Sequence, residues 1–204
     1  QFFPLYVYRP DGTREVLFYG NRGSYTSIYA QPVDAEMRPV GDTRRVVQGE
    51  RSAEYEAFHL FESRMDVSDT GLLAFVTKQG GADVVHLLDL NTGEREAVLG
   101  FETLVAIYSP ALSGDGQTVV FTGIDQGGMA DLYVYSRAVG VLRQLTHDAY
   151  DDRDPDLSPD GQTVAFSSDR SQWGMDGHYN LFALDVRSGA VEAITAGPQM
   201  DLSP

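Results

Sequence analysis

The chain has 204 residues, and 15 Lys and Arg against 30 Asp and Glu give it a formal net charge of −15. A protein this acidic is poorly suited to bind nucleic acid, which needs a basic face for the phosphates, or anionic lipid. The absence of cysteine excludes disulfides, thiolate metal ligands and cysteine nucleophiles. Its apolar runs are far shorter than the roughly 20 residues of a membrane-spanning helix, so we expect no membrane insertion.

An Asp-Gly pair, in one case Thr-Gly, recurs along the chain and marks an internal repeat. The glycines of these pairs are Gly12, Gly71, Gly116 and Gly161. They lie 59, 45 and 45 residues apart. Each is followed by an apolar run that ends in phenylalanine, at Phe18, Phe75, Phe121 and Phe166. Two further apolar runs complete each unit, and so many coincidences indicate a true repeat.

Each unit is predicted to form four short β-strands. The first is the segment before the glycine, and the pair itself supplies the positive φ of a tight hairpin turn. The second strand ends at the phenylalanine and the third is the next apolar run. The fourth contains Val98, Leu145 or Ile194. The best helical candidate, residues 52–61, lies in the unit with extra length. Four-stranded units of about 45 residues predict an all-β fold, a β-propeller of antiparallel blades.

Residues 158–170, with the sequence Ser-Pro-Asp-Gly-Gln-Thr-Val-Ala-Phe-Ser-Ser-Asp-Arg, resemble the repeat of TolB-type, WD-repeat-like bacterial propellers. The resemblance is strongest over 109–204, clear over 63–108 and looser over 1–62, where Arg9 replaces the usual serine and Asn21 the usual aspartate. Such repeats occur in the periplasmic Tol-system component and in propellers that precede serine peptidase domains. The resemblance therefore implies a periplasmic or secreted envelope protein whose signal is not present in this chain. It identifies a blade and not an activity.

The repeat predicts one propeller region over 1–204, with blades at about 3–62, 63–108, 109–153 and 154–199. Residues 200–204 are predicted to begin a fifth unit, because Asp201-Leu202-Ser203-Pro204 copies the tetrapeptide at 156–159. Propellers contain about four to eight blades, and unpaired strand edges favour aggregation. We therefore expect either missing blades in a longer propeller or a chain that closes its ring by self-association.

The densest group of polar residues supplies most of the candidate binding residues. They are His147, Asp148, Tyr150, Asp151, Asp152 and Asp154. The alternation of Asp152, Asp154 and Asp156 could gather oxygen ligands around Ca²⁺, although it departs from the EF-hand loop. Short acidic side chains also cap turns and accept bonds from exposed backbone N–H groups. A rim that binds a ligand or partner is the third interpretation.

Two other features follow the second strand of a unit. Asp169-Arg170, with its relative Asn21-Arg22, is expected to tie one blade to its neighbour through an ion pair. The loop at 171–179 holds Trp173, the single tryptophan, and His178. Exposed aromatic and methionine side chains in a loop suit a protein-binding surface, unless Trp173 folds back over the edge of the blade.

The sequence carries none of the motifs of several common chemistries. No histidine pair has metal-ligand spacing, and neither a Gly-x-Ser-x-Gly elbow nor a phosphate-binding loop occurs. We therefore assign no catalytic or metal residue and no cofactor, with Ca²⁺ as the one option. The sequence favours a non-catalytic TolB-like module that binds a protein or peptide. The alternatives are the substrate-gating propeller of a serine peptidase and a carbohydrate-active propeller enzyme.

Overall fold

The computed structural model describes residues 2–9, 11–22, 25–49, 55–59 and 62–204. The chain divides into two compact units, Gln1–Gly100 and Phe101–Pro204. Both are built from short antiparallel β-strands, which confirms the predicted all-β class. Among the described residues, no helix is long and apolar enough to cross a membrane.

The first unit contains two sheets. One is formed, in order, by β1 (Phe2–Tyr8), β2 (Arg14–Asn21), β3 (Thr26–Pro32) and β4 (Arg44–Val47). The other is formed by β5 (Ala57–Phe58), β6 (Asp66–Val67), β7 (Leu72–Gln79), β8 (Ala82–Asp89) and β9 (Arg95–Gly100). Both β5 and β6 pair with β7, so the first-strand position of this sheet is shared by two short strands.

The second unit repeats the arrangement with complete first strands. Its first sheet is formed by β10 (Leu104–Leu112), β11 (Thr118–Asp125), β12 (Ala130–Ser136) and β13 (Val141–Gln144). Its second is formed by β14 (Asp152–Leu157), β15 (Thr163–Ser168), β16 (Asn180–Asp185) and β17 (Val191–Ala193). A single 3-10 turn, Gly174–Asp176, lies between β15 and β16.

The strand prediction needs two corrections. Strands β13 and β17 end one residue before Leu145 and Ile194. Both residues still extend the ladder, because their N–H groups donate to the carbonyls of the third strand at 2.7 and 2.8 Å. The helical candidate at 52–61 is not a helix where the structure describes it, since Ala57–Phe58 is a strand; residues 52–54, 60 and 61 lie outside the described residues.

The glycine turns have the predicted conformation, and a serine and an aspartate stabilise the third and fourth of them. All four repeat glycines have positive φ, between +69° and +87°. In the third turn, the hydroxyl of Ser113 donates to Asp115 at 2.6 Å and accepts the N–H of Thr118 at 3.0 Å. Ser158 and Asp160 repeat these bonds in the fourth turn. The repeat is therefore encoded in hydrogen bonds as well as in apolar residues.

The first turn replaces the serine by Arg9, which serves a different purpose. Its guanidinium donates to the buried carboxylate of Glu15 at 2.6 Å and to the side chain of Asn91 at 3.1 Å. Arg44 donates to the same carboxylate at 2.8 Å. Because Asn91 follows β8 in the neighbouring sheet, Arg9 links the two sheets of the first unit.

A histidine is fully buried in the core of the first unit. His86 is 0% exposed, stacks on Phe75 with ring centroids 5.0 Å apart, and meets the edge of Tyr55 at 4.9 Å. Its Nε2 hydrogen-bonds to the hydroxyl of Thr77 at 2.7 Å. Burial, with the nearby charge of Arg95, lowers the pKa of His86 to about 4. The equivalent residues in the other sheets are aromatic: Tyr29, Tyr133 and Phe182.

The buried imidazole makes the first unit sensitive to mild acid. The unfolded chain binds a proton near pH 6.5, whereas folded His86 binds one only near pH 4. Stability is therefore full above pH 6.5 and falls as the pH drops toward 4. We expect a loss of roughly 1–2 kcal/mol between pH 7.5 and 5 that is absent in the His86→Phe/Thr77→Val double variant. Urea unfolding followed by circular dichroism measures it, and parallel pH profiles for the two proteins would contradict this account.

Candidate functional site

The first strands of three sheets share a bulge at the same register position. A residue of positive φ is followed by proline in each: Phe3-Pro4, Ser109-Pro110 and Asp154-Pro155. The pairing of each first strand with the second skips one residue at this point. An extra residue bends a strand and redirects its side chain. The bulge therefore sets the direction of one side chain in each of these three sheets, that of the residue with positive φ.

A residue of positive φ before proline recurs after β17, within the segment predicted to begin a fifth unit. Ser203 has φ +61° and precedes Pro204. Thr195 donates to Asp201, six residues later, at 2.6 Å, and Thr146 precedes Asp152 by the same six residues in the preceding repeat. By these two features Asp201 is equivalent to Asp152, an alignment that differs by four residues from the match of the last tetrapeptide to 156–159.

The bulge side chains of the second unit hydrogen-bond to one another. The hydroxyl of Ser109 donates to one oxygen of Asp154 at 3.1 Å, and that of Ser203 donates to the other at 3.3 Å. Asp154 is therefore held by the residues at the equivalent position on either side. The cluster of carboxylates found among the described residues includes Asp152 but neither Asp154 nor Asp156, so the three alternating aspartates do not converge on one point.

Arg170 is the centre of the predicted polar region. One of its nitrogens donates to both oxygens of Asp152, at 2.7 and 2.6 Å, and another lies 3.3 Å from Asp148. Asp152 is 0% exposed. The guanidinium also lies over three aromatic rings, 5.2–5.5 Å from the centroids of Tyr150, Phe166 and Phe182. Arg170 thus connects the segment before β14 to the end of β15.

Three carboxylates around this arginine form the acidic cluster of the second unit. Oxygen atoms of Asp131, Asp148 and Asp152 lie within 4.8 Å of one another. Asp131 accepts bonds from Thr146 at 3.1 Å and Gln144 at 2.9 Å. Burial raises the pKa of Asp131 and of Asp152, and in Asp152 the bonds from Ser168, Arg170 and Thr146 oppose that rise. The guanidinium already supplies positive charge to two members, so this cluster is an ion-pair network.

Asp151 joins the same loop to the residues before β16. Its carboxylate accepts the hydroxyl of Tyr179 at 2.7 Å and pairs with Arg153. Its backbone N–H donates to the carboxylate of Asp169 at 2.8 Å. Arg153 lies over the ring of Tyr179, and burial, followed by the bond to Asp151, raises the pKa of that phenol. We call residues 147–151 and 169–179 together the rim.

The remaining predicted residues lie on the outer part of the rim. Trp173 is half-buried and precedes the 3-10 turn, whose Met175 is fully exposed. His178 is also half-buried, and its N–H donates to the carbonyl of Trp173 at 3.4 Å. Within the described residues, neither the indole nor the imidazole makes a hydrogen bond. His147 contacts Gln144 at 3.2 Å, at the other side of the rim.

Sequence reasoning missed Asp131, Thr146 and Tyr179, although the repeat marks two of them. Thr146 and Thr195 occupy one repeat position, and each accepts the N–H of the first apolar residue of the third strand at 2.9 Å. Asp131 and Asn180 occupy another, immediately before that residue. Aligning the repeats on these polar positions would have identified Asp131 and Thr146 as candidate site residues. Tyr179 has no such signal, because its partner Asp151 lies in a loop.

These bulges, turns and four-stranded sheets agree with a comparison to known families. The family described as the TolB beta propeller domain matches residues 64–204. The chain belongs to this family.

Several solved structures share the fold of this TolB-type chain. TolB from Acinetobacter baumannii matches with a TM-score of 0.70 and 19% identity over 95% of this chain and 43% of that one. The putative TolB from Agrobacterium tumefaciens gives 0.70 and 22%, over 100% and 65%. A puromycin-hydrolyzing peptidase from Mycobacterium tuberculosis gives 0.59 and 18%, over 96% and 29%. The chain therefore spans less than two thirds of these proteins, and the likeness concerns the fold alone.

The ion pair of Arg170 can be tested against a matched residue of the same TolB-type chain. Arg170→Met leaves a fully buried carboxylate without its cation, so we expect a loss of about 3 kcal/mol in the second unit. Arg22 stacks on Phe18 and Tyr29 in the same manner but makes no ion pair with a described residue. Arg22→Met should therefore cost less than about 1 kcal/mol. Urea unfolding measures both losses of stability. It is followed by the fluorescence of Trp173 for Arg170→Met and by circular dichroism for Arg22→Met.

The pH dependence separates an electrostatic loss from a packing loss. Without Arg170, Asp152 favours its protonated form in the folded state, so the deficit is largest at pH 8 and shrinks toward pH 5. Asp152→Asn in the Arg170→Met background should recover part of the stability. Equal losses in both methionine variants, or a deficit independent of pH, would show that the ion pair contributes little.

Proposed function

We propose that this chain is a non-catalytic TolB-like module that binds a protein or peptide through the rim, in the periplasm or another exported compartment of a bacterium. The observation that carries the proposal is the construction of the rim. Asp148 and Tyr150 contact Arg170, and Asp151 contacts Asp169 and Tyr179, so two loops form one surface. A preorganised surface loses little entropy when a partner binds.

The composition of the rim suits a macromolecular partner. Met175 is fully exposed and Tyr150 is 41% exposed, beside the half-buried Trp173. Aromatic and methionine side chains are enriched at protein interfaces. The carboxylates of Asp148 and Asp151 are already engaged by arginines, so they orient the surface. The overall charge of −15 would steer a basic partner toward the chain.

A second candidate role is to gate access to a peptidase active site. Its support is the likeness to the puromycin-hydrolyzing peptidase, of which this chain covers 29%. In that role the same four sheets would be blades of a larger propeller beside a catalytic domain. The gene on either side of this segment decides between the roles, because the gating role requires a domain with a Gly-x-Ser-x-Gly elbow.

Site-specific photo-cross-linking tests the rim directly. A photoreactive phenylalanine at Met175 should cross-link a defined protein in the native host. The same residue at Val139, which is 70% exposed in the turn at the far end of β13, should not. Trp173→Ser in the Met175-labelled chain should reduce the yield about tenfold, or roughly 1.4 kcal/mol. Equal labelling from both positions would show that the rim is not the binding surface.

A further inference from the structure

Three of the sheets carry the same pair of aromatic rings on their second and third strands. The ring centroids lie 5.9, 6.0 and 5.9 Å apart in the pairs Phe18–Tyr29, Phe121–Tyr133 and Phe166–Phe182. Four residues after the phenylalanine come Arg22 in the first of these sheets and Arg170 in the last, and each guanidinium lies 5.2–5.6 Å from both centroids of its pair. In the sheet of β10–β13 the same position is Asp125. A carboxylate there replaces the guanidinium.

A cavity of about 470 Å³ lies beside this aspartate. Its lining includes Thr103, Asp125 and Tyr133. Counted from the bulge, Thr103 is equivalent to Asp148, which lies 3.3 Å from Arg170 in the next sheet. The residues around the cavity are therefore the equivalents of those that meet at Arg170 one repeat later.

The side chains around the cavity offer hydrogen-bond acceptors. Oδ1 of Asp125 accepts the N–H of Gly127 at 2.7 Å, whereas Oδ2 has no described partner. The amide nitrogen of Gln144 donates to Asp131 at 2.9 Å, which leaves its carbonyl oxygen without a bond to any described residue. Among the described residues, no cation pairs with Asp125. The site is thus half-built for a cation.

The hydroxyl of Tyr133 is a buried polar group that the described part of the fold leaves unpaired. The side chain is 6% exposed and lines the cavity. Its equivalent Tyr29 donates to the carbonyl of Arg22 at 3.2 Å, and Tyr133 makes no such bond within the described residues. Burial, followed by the charges of Asp131 and Asp125, raises the pKa of Tyr133. The negative charge around this phenol favours a cation beside it.

We propose that the cavity beside Asp125 binds the guanidinium group of an arginine side chain that a peptide or protein partner presents. Oδ2 of Asp125 is its ion-pair partner, and the oxygens of Tyr133 and Gln144 accept its other N–H groups. A planar guanidinium has five donors in a fixed fork, which suits several acceptors around one cavity better than an ammonium group does. The inference rests on the proposed function and adds the chemistry of the partner, since Gln144 contacts His147 of the rim at 3.2 Å.

Small arginine derivatives test the cavity without a known partner. N-acetyl-arginine amide is titrated into the 204-residue chain, and the amide NMR signals of Gly127 and Met129, which both donate to Asp125, report binding. We expect saturable shifts with this probe. Its neutral isostere N-acetyl-citrulline amide, and N-acetyl-lysine amide, should each bind at least about fivefold more weakly.

A charge-removing variant and a matched control locate the site. Asp125→Asn keeps an oxygen for the N–H groups of the turn but removes the charge, so the arginine probe should bind about tenfold more weakly. Asp115→Asn makes the same change at the opposite end of β11, where Asp115 accepts the N–H of Gln117 at 2.9 Å, and it should leave binding unchanged.

Two further variants keep the test independent of any single substitution. Tyr133→Phe removes only the hydroxyl and should weaken binding about threefold. Asp125→Arg should abolish binding, because the chain's own guanidinium then lies over the rings of Phe121 and Tyr133, as Arg170 does in its sheet. Circular dichroism checks that each variant folds. Equal affinity for the arginine and citrulline probes, or for the wild type and Asp125→Asn, would overturn the proposal.

The photo-cross-link at Met175 separates this inference from the proposed function. If the arginine probe fails to bind while Met175 still cross-links a defined protein, the cavity assignment is wrong and the rim is retained. If the probe binds and Met175 gives no specific product, the proposed function fails and the cavity assignment stands.

Discussion

The carboxylate of Asp152, fully buried between two sheets of the second unit, is the constraint on which the candidate site depends. A buried charge costs several kcal/mol unless it is paired and hydrogen-bonded. Arg170 provides that pairing, and the same guanidinium covers two core phenylalanines and the ring of Tyr150. The pairing of this buried charge therefore positions the loop before β14, and the conformation of the rim depends on contacts with the core.

The repeat separates the packing role of this arginine from its electrostatic role. Arg22 makes the same contacts with aromatic rings, but no described carboxylate pairs with it. In the first sheet, Arg9 forms a buried ion pair with Glu15. The other three repeats have a serine at the position of Arg9. The sheets thus share the packing of their aromatic side chains but differ in where their charged residues lie.

The fold could be predicted because its signals are local and repeated. Positive φ at Gly116 or Gly161, and the serine that closes each turn, depend on residues within five positions of one another. The position of residues 201–204 within the repeat could not be predicted in this way. The tetrapeptide at 156–159 has the same letters, but the bond from Thr195 to Asp201 and the positive φ of Ser203 before Pro204 match the preceding repeat four residues earlier. The rim depends on contacts such as Tyr179 with Asp151, 28 residues apart, which no local pattern encodes.

The acidity of the chain follows partly from the fold. Hydrogen bonds within the turns lower the pKa of five aspartates: Asp11, Asp89, Asp115, Asp160 and Asp185. These carboxylates cap backbone N–H groups, so they stay ionised well below neutral pH. Asp148, Asp151 and Asp152 are instead paired with arginines. The rim nevertheless stays acidic, with Asp148, Asp151, Asp169 and Asp176 against Arg170. Its ion pairs therefore orient these carboxylates without removing the negative charge of the surface.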